Sequence, residues 1–155
     1  MKRSPRQTEL LQSTLGHALE FLENLDEAPV APISTLEELR SRLNRELPTD
    51  PCAAREVIDQ LVNDTKGGLT HNAGGRFFSW VIGGTIPAAL AADWLTSTWD
   101  QNSGMFSVAP AASVVEEVCG RWLLDVLRLP VEASFALVTG CQMAHVTCLA
   151  AARNA

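Results

Sequence analysis

The segment Phe135–Arg153 limits the possible folds most sharply. Phe135 to Val138 is a short apolar, strand-like run, Thr139-Gly140 a turn, and Cys141 to Arg153 an almost uncharged helical run. A strand that passes through a tight turn into a helix leaves the first N–H groups of that helix without intrahelical partners. The positive end of the helix dipole lies beside them, which makes the turn a seat suited to a phosphate. One strand cannot satisfy its own backbone groups, and a β-turn-α unit starts an α/β domain rather than closing one. The sequence ends two residues later, at Ala155, so the expectation is the front portion of something larger.

Charge is unevenly distributed in a way that supports this. Residues 1–66 hold 12 acidic and 8 basic side chains, whereas residues 67–155 hold only 6 and 4. A free domain usually carries about a quarter charged residues, so the second portion is too apolar to be all surface. Its helices are expected to be covered by further protein, from the same chain or a partner. The net charge of −6 argues against a nucleic-acid or polybasic membrane surface. The basic start, Lys2 to Arg6, is followed by no apolar run of the kind that a secretory leader needs. The longest apolar stretch, Phe77 to Ala92, is too short to span and is broken by Gly83-Gly84 and Pro87. Cys52, Cys119, Cys141 and Cys148 form no CxxC pair and read as reduced thiols of a cytoplasmic protein.

Leu11, Leu15, Leu19, Leu22 and Leu25 make a helical stripe through residues 8–25. Pro29 and Pro32 mark an extended connector. Ser34 and Glu37 have the spacing of a capping box ahead of a helix with Leu36, Leu39 and Leu43, which ends before Pro48. A further short helix follows Pro51, with Val57, Ile58, Leu61 and Val62 on one side. Lys66 to Gly75 is glycine-dense and reads as flexible, and Phe77 to Ile82 as extended. Thr85 is placed to cap a helix that runs to about Trp99. After a loop over Gln101–Ala109, Pro110 opens a helix striped by Val114, Val118, Trp122 and Val126.

His71, the run Arg76–Gly84, the run Pro87–Leu95, Ala109–Ala111, Val115–Val118, Trp122–Asp125, Val138–Gly140 and Leu149–Arg153 follow in an order and spacing that resembles the pyridoxal-phosphate-dependent group II decarboxylases. These are the family of the aromatic-amino-acid and glutamate decarboxylases. The resemblance covers roughly residues 5–155, and corresponds to about the amino-terminal third of a member. It implies an α/β, fold-type-I homodimer truncated here to a mostly helical chain with one terminal β-turn-α unit. Residues 1–66 would be an arm packed on the partner subunit, and residues 67–155 the start of the cofactor domain. Trp80 and Val81 would face substrate, and the loop Asn102–Phe106 would reach the other subunit's site, with Asn102 and Phe106 as its contacts. Gly140, Cys141 and Gln142 match the turn that holds the cofactor phosphate. The family's side chains there are usually small or hydroxylated, and an Asn is common where this chain has His145. The cofactor lysine, the acidic partner of the ring nitrogen and the stacking histidine all lie downstream in the family. Here Lys2 and Lys66 are the sole lysines and neither sits in a matching motif. The implied function is the N-terminal part of an amino-acid decarboxylase, inactive by itself and leaning by Trp80 to apolar or aromatic substrates. The alternative is a non-catalytic protein that pairs with a full-length relative or a separately encoded remainder, or a non-functional remnant.

Other residues carry plainer readings. Cys141, His145 and Cys148 share a helix face, but three ligands on one helix make a poor closed zinc site, and a helix of small core residues accounts for them better. His71 has no visible catalytic partner and reads as a loop residue bonded to backbone. His17 lies just off the leucine stripe, as a surface residue. Adjacent Glu116 and Glu117 point about 100° apart on a helix and read as a solvated face.

Overall fold

A computed structural model describes residues 5–154. Its contacts divide the chain into one unit that runs to Ala89 and another that begins at Leu90. Helix α1 (Pro5–Glu23), α2 (Leu36–Leu43) and α3 (Ala54–Thr65) lie in the first, and α5 (Pro110–Val126) and α6 (Cys141–Asn154) in the second. Helix α4 (Pro87–Trp99) crosses the division. No strand occurs among the described residues.

In the first unit α3 packs against both α1 and α2. The α1–α3 contact includes a polar cluster around Asp59. Asp59 on α3 accepts from Ser13 at 3.3 Å and lies 2.7 Å from His17 Nε2, while Arg55 approaches its other oxygen at 3.4 Å. The hydrogen bond from His17, then the Arg55 charge, hold the Asp59 carboxyl below its ordinary range against the opposing effect of desolvation. Leu11, Leu15, Leu19 and Leu22 stay exposed. His17 is thus a bridging residue and not the free surface residue expected: it falls on the 13, 17, 20, 24 line that faces α3 and its following loop.

The start of α2 is shifted by one residue from the expected capping box. Thr35, not Ser34, is the N-cap: its hydroxyl accepts from the Glu38 N–H at 3.2 Å, and the Glu38 carboxylate accepts from the Thr35 N–H at 2.7 Å. Those bonds from Thr35 hold the Glu38 carboxyl below its usual value. Ser34 is engaged elsewhere. Its hydroxyl accepts from Arg42 at 2.8 Å and donates to the Lys66 carbonyl at 3.3 Å.

The glycine-dense passage is not loose. Residues 67–76 run antiparallel to residues 26–34 and are pinned along their length. The Ile33 and Ser34 N–H groups donate to Gly67 O at 2.8 and 2.9 Å, and the His71 N–H donates to Val30 O at 3.1 Å. Further on, the Gly75 N–H donates to Asp26 at 3.3 Å, and Arg76 donates to Ala28 O. The glycines serve close approach. Gly67 has φ 78°, and a Cβ there would lie 2.7 Å from Ser34 Oγ.

Phe77–Ile82 is a turn-rich segment and not the extended run expected, because Trp80 and Val81 both take left-handed φ, 62° and 55°. For β-branched Val81 this is a sparsely populated conformation. Helix α4 begins at Pro87, two residues past the Thr85 cap expected, where the ring's fixed φ suits a first helical turn.

In the second unit Pro110 opens α5 as expected, with Ala109 (1 % exposed) as its N-cap. Gly120 and Leu124 are its buried positions. The Phe135 ring occupies the space a Cβ on Gly120 would need. Phe135–Val138 forms no strand, since among the described residues no second strand is present to complete its hydrogen bonding. Of the expected β-turn-α unit the described residues keep the turn and the helix.

Candidate functional site

The Thr139-Gly140 turn delivers the chain into α6, and the helix opens at Cys141 as the sequence implies. The Ala144 N–H donates to Gly140 O at 3.0 Å, the bond that closes the first turn. The N–H groups of Cys141, Gln142 and Met143 are left as the helix's open donors. All three residues are exposed. The chemistry on offer is anion binding by backbone amides aided by the helix dipole. Side-chain help is limited, since the Cys141 thiol sits 3.7 Å from His145 Nε2 one turn along and neither Cys141 nor Gln142 supplies a hydroxyl. Among the described residues no group of three His, Cys, Asp or Glu side chains is placed to hold a metal ion.

The residues expected to face substrate are divided between the two units. Trp80 (82 % exposed) and Val81 project from the left-handed turn of the first unit. Asn102 and Phe106 lie in the loop between α4 and α5. There Asn102 Oδ1 accepts from the Gly104 N–H at 3.1 Å, which folds the loop tip back on itself, and Phe106 is exposed. Within the first unit His71 is fixed from three sides. Its N–H reaches Val30, its Nδ1 lies 2.9 Å from the Pro29 carbonyl, and its ring stacks on Phe21 at 5.0 Å and 16°. A carbonyl only accepts, so Nδ1 is the donor in this bond.

A second concavity went unread in the sequence. A cavity of about 370 Å³ opens between α1, the end of α3 and the 28–33 and 67–71 segments, with His17, Glu20, Phe21, Asn24, Lys66 and His71 among its walls. Its one sequence signal is the polar line His17, Glu20, Asn24 beside the leucine stripe.

The chain is similar to decarboxylases of aromatic amino acids over most of its length. It is 25 % identical over 137 residues to the aromatic-L-amino-acid decarboxylase of Bacillus atrophaeus, a match that covers 88 % of this chain and 28 % of that protein. It is 26 % identical over 140 residues to tryptophan decarboxylase 1 of Oryza sativa subsp. japonica, covering 88 % and 27 %. To L-tyrosine/L-DOPA decarboxylase 2 of Lophophora williamsii it is 24 % identical over 129 residues, covering 83 % and 25 %. The chain thus spans about a quarter of the length of these curated relatives. No family model matches it, and no solved structure matches it significantly. Among the described residues no helix is long and apolar enough to cross a membrane.

Proposed function

We propose that this chain forms the N-terminal part of a pyridoxal-phosphate-dependent decarboxylase that acts on an aromatic amino acid. The observation that carries the reading is the similarity to aromatic-amino-acid decarboxylases along 88 % of the chain. Residues 67–155 are then the start of a fold-type-I cofactor domain. Gly140, Cys141 and Gln142 hold the cofactor phosphate through backbone N–H groups, as the open start of α6 allows. Trp80 and Val81 face the substrate side chain, and Asn102 and Phe106 reach the substrate site of the partner subunit. Their exposure on turns suits a cleft completed by other protein.

The residues fit the phosphate end of the cofactor and not its carbonyl end: Lys66 is the one lysine among the described residues, and it lines the cavity behind α1. When bound, the cofactor supplies an electron-accepting ring for the pair left at the α-carbon as carbon dioxide departs. This chain's part is to seat the phosphate, to orient the aromatic side chain and to exclude water from it. Residues 1–66 act as an arm on a partner subunit, for which the exposed Leu11, Leu15, Leu19 and Leu22 are the contact stripe.

The second reading, a non-catalytic chain that pairs with a relative or a separately encoded remainder, draws support from the exposed Trp122, Val126 and Leu149 of α5 and α6. Release of labelled carbon dioxide from carboxyl-labelled L-tyrosine or L-tryptophan separates the two. The decarboxylase reading expects release by the natural assembly that contains this chain, dependent on added pyridoxal phosphate, and none by the 155-residue chain alone. An assembly that binds the chain firmly yet releases nothing would favour the second.

A further inference from the structure

The cavity behind α1 has a composition that the decarboxylase reading does not use. Its apolar lining includes Ile33, Val62 and Leu69, which are partly exposed, and its aromatic wall is the stacked Phe21–His71 pair. Two opposite charges stand on opposing elements: Glu20 on α1 and Lys66 just past α3. Among the described residues neither forms an ion pair, although the nearby Asp59 and Asp64 are both matched, by His17 with Arg55 and by Arg45. The remaining polar groups at the wall are chiefly neutral amides, Asn24 and Asn63, and His17 is turned to Asp59. The aromatic pair is immobilised by the His71 bonds to Pro29 and Val30, so the wall is formed in advance of any ligand. A volume of about 370 Å³ falls at the lower end of the small-molecule range of roughly 300–1,000 Å³.

We infer that this cavity is a binding site for a small free amino acid with an aromatic or large apolar side chain, held as its zwitterion. The ammonium group pairs with Glu20, the carboxylate with Lys66, and the side chain lies on the Phe21–His71 wall above Val62 and Leu69. A ligand of one charge is disfavoured. A lone amine would meet Lys66 without compensation, and a lone acid would meet Glu20. The site belongs wholly to the first unit and contains none of the residues assigned to cofactor or substrate, so it stands or falls apart from the decarboxylase reading.

The test is calorimetric titration of the full chain, without cofactor and at low salt, with L-phenylalanine, phenethylamine and 3-phenylpropionate. L-Phenylalanine is expected to bind, with each single-charge analogue weaker by about tenfold or more, the usual worth of one charge-assisted hydrogen bond. Glu20→Gln and Lys66→Met should each weaken L-phenylalanine by a similar factor, and Val62→Trp should abolish binding by filling the cavity. Far-UV circular dichroism checks that all three variants keep the parent's helix content, and any that does not is replaced by Leu69→Trp. Absence of L-phenylalanine binding at ~10 mM, equal affinity for the three ligands, or affinity unchanged by Lys66→Met would overturn the assignment.

Discussion

Replacement of Gly67 by alanine tests the strap that closes the first unit. Gly67 has φ 78°, a conformation that costs an L-residue about 1–2 kcal/mol. Its new Cβ would lie 2.7 Å from Ser34 Oγ and 3.1 Å from Ile33 Cγ1. These are the two residues whose N–H groups donate to Gly67 O. The added methyl therefore pushes apart the hydrogen bonds it sits beside, worth about 1 kcal/mol net each. The expected loss is about 2–3 kcal/mol. At about 4–8 °C per kcal/mol for a unit of this size, the melting midpoint followed at 222 nm should fall by roughly 10 °C or more. Gly16 supplies the opposite sign: it lies inside α1 with nothing within 4 Å of a built Cβ. Gly16→Ala should raise stability by about 0.5–1 kcal/mol through helix propensity. The reasoning is refuted if the two substitutions move the midpoint in the same direction, or if Gly67→Ala leaves it where it was.

Three further outcomes follow from the same contacts. Thr35→Ala should cost about 1 kcal/mol as a lost N-cap, and Ser34→Ala less, in a urea titration; the reverse order would restore the capping box the sequence implies. Asp59 and Glu38 both have folded values below their unfolded ones, so their contribution is present above the unfolded carboxylate range near pH ~4 and is lost as pH falls through the depressed values. Asp59→Asn should flatten that acid limb of the stability profile, and an unchanged limb would deny the His17–Asp59 bond its role. Pyridoxal phosphate added to the 155-residue chain should give no stable absorbance band of a lysine-bound cofactor, since Lys66 lies at the cavity behind α1 and the second unit has no lysine.

Most helices were legible because their signals are local. Pro110 and the valine stripe marked α5, Thr139-Gly140 marked the opening of α6, and the proline pairs marked the breaks around α2. What was not legible depends on contacts between distant residues. The N-cap went to Thr35 because Arg42 and the Lys66 carbonyl engage Ser34 from afar. The glycines of 67–75 read as looseness, but a strand-like pairing with 26–34 uses their lack of a side chain for close approach. Phe135–Val138 carried strand composition, yet a strand is a property of two segments, and among the described residues there is no second one. Of the candidate site, the opening of α6 at Cys141 was readable because a Thr-Gly turn before an uncharged helical run is a local signal. The cavity at Glu20 and Lys66 joins residues 46 positions apart in sequence, which no local pattern reveals.

We propose above that these residues belong to a cofactor-dependent decarboxylase. The most direct test of that proposal is mass spectrometry, under denaturing conditions, of the assembly isolated from its natural source by this chain and reduced with borohydride. The account predicts a pyridoxyl-modified lysine on polypeptide beyond the 155 residues, in continuation or in company, with Lys2 and Lys66 unmodified. An assembly with no pyridoxyl-lysine anywhere, or with the modification on Lys66, would contradict it.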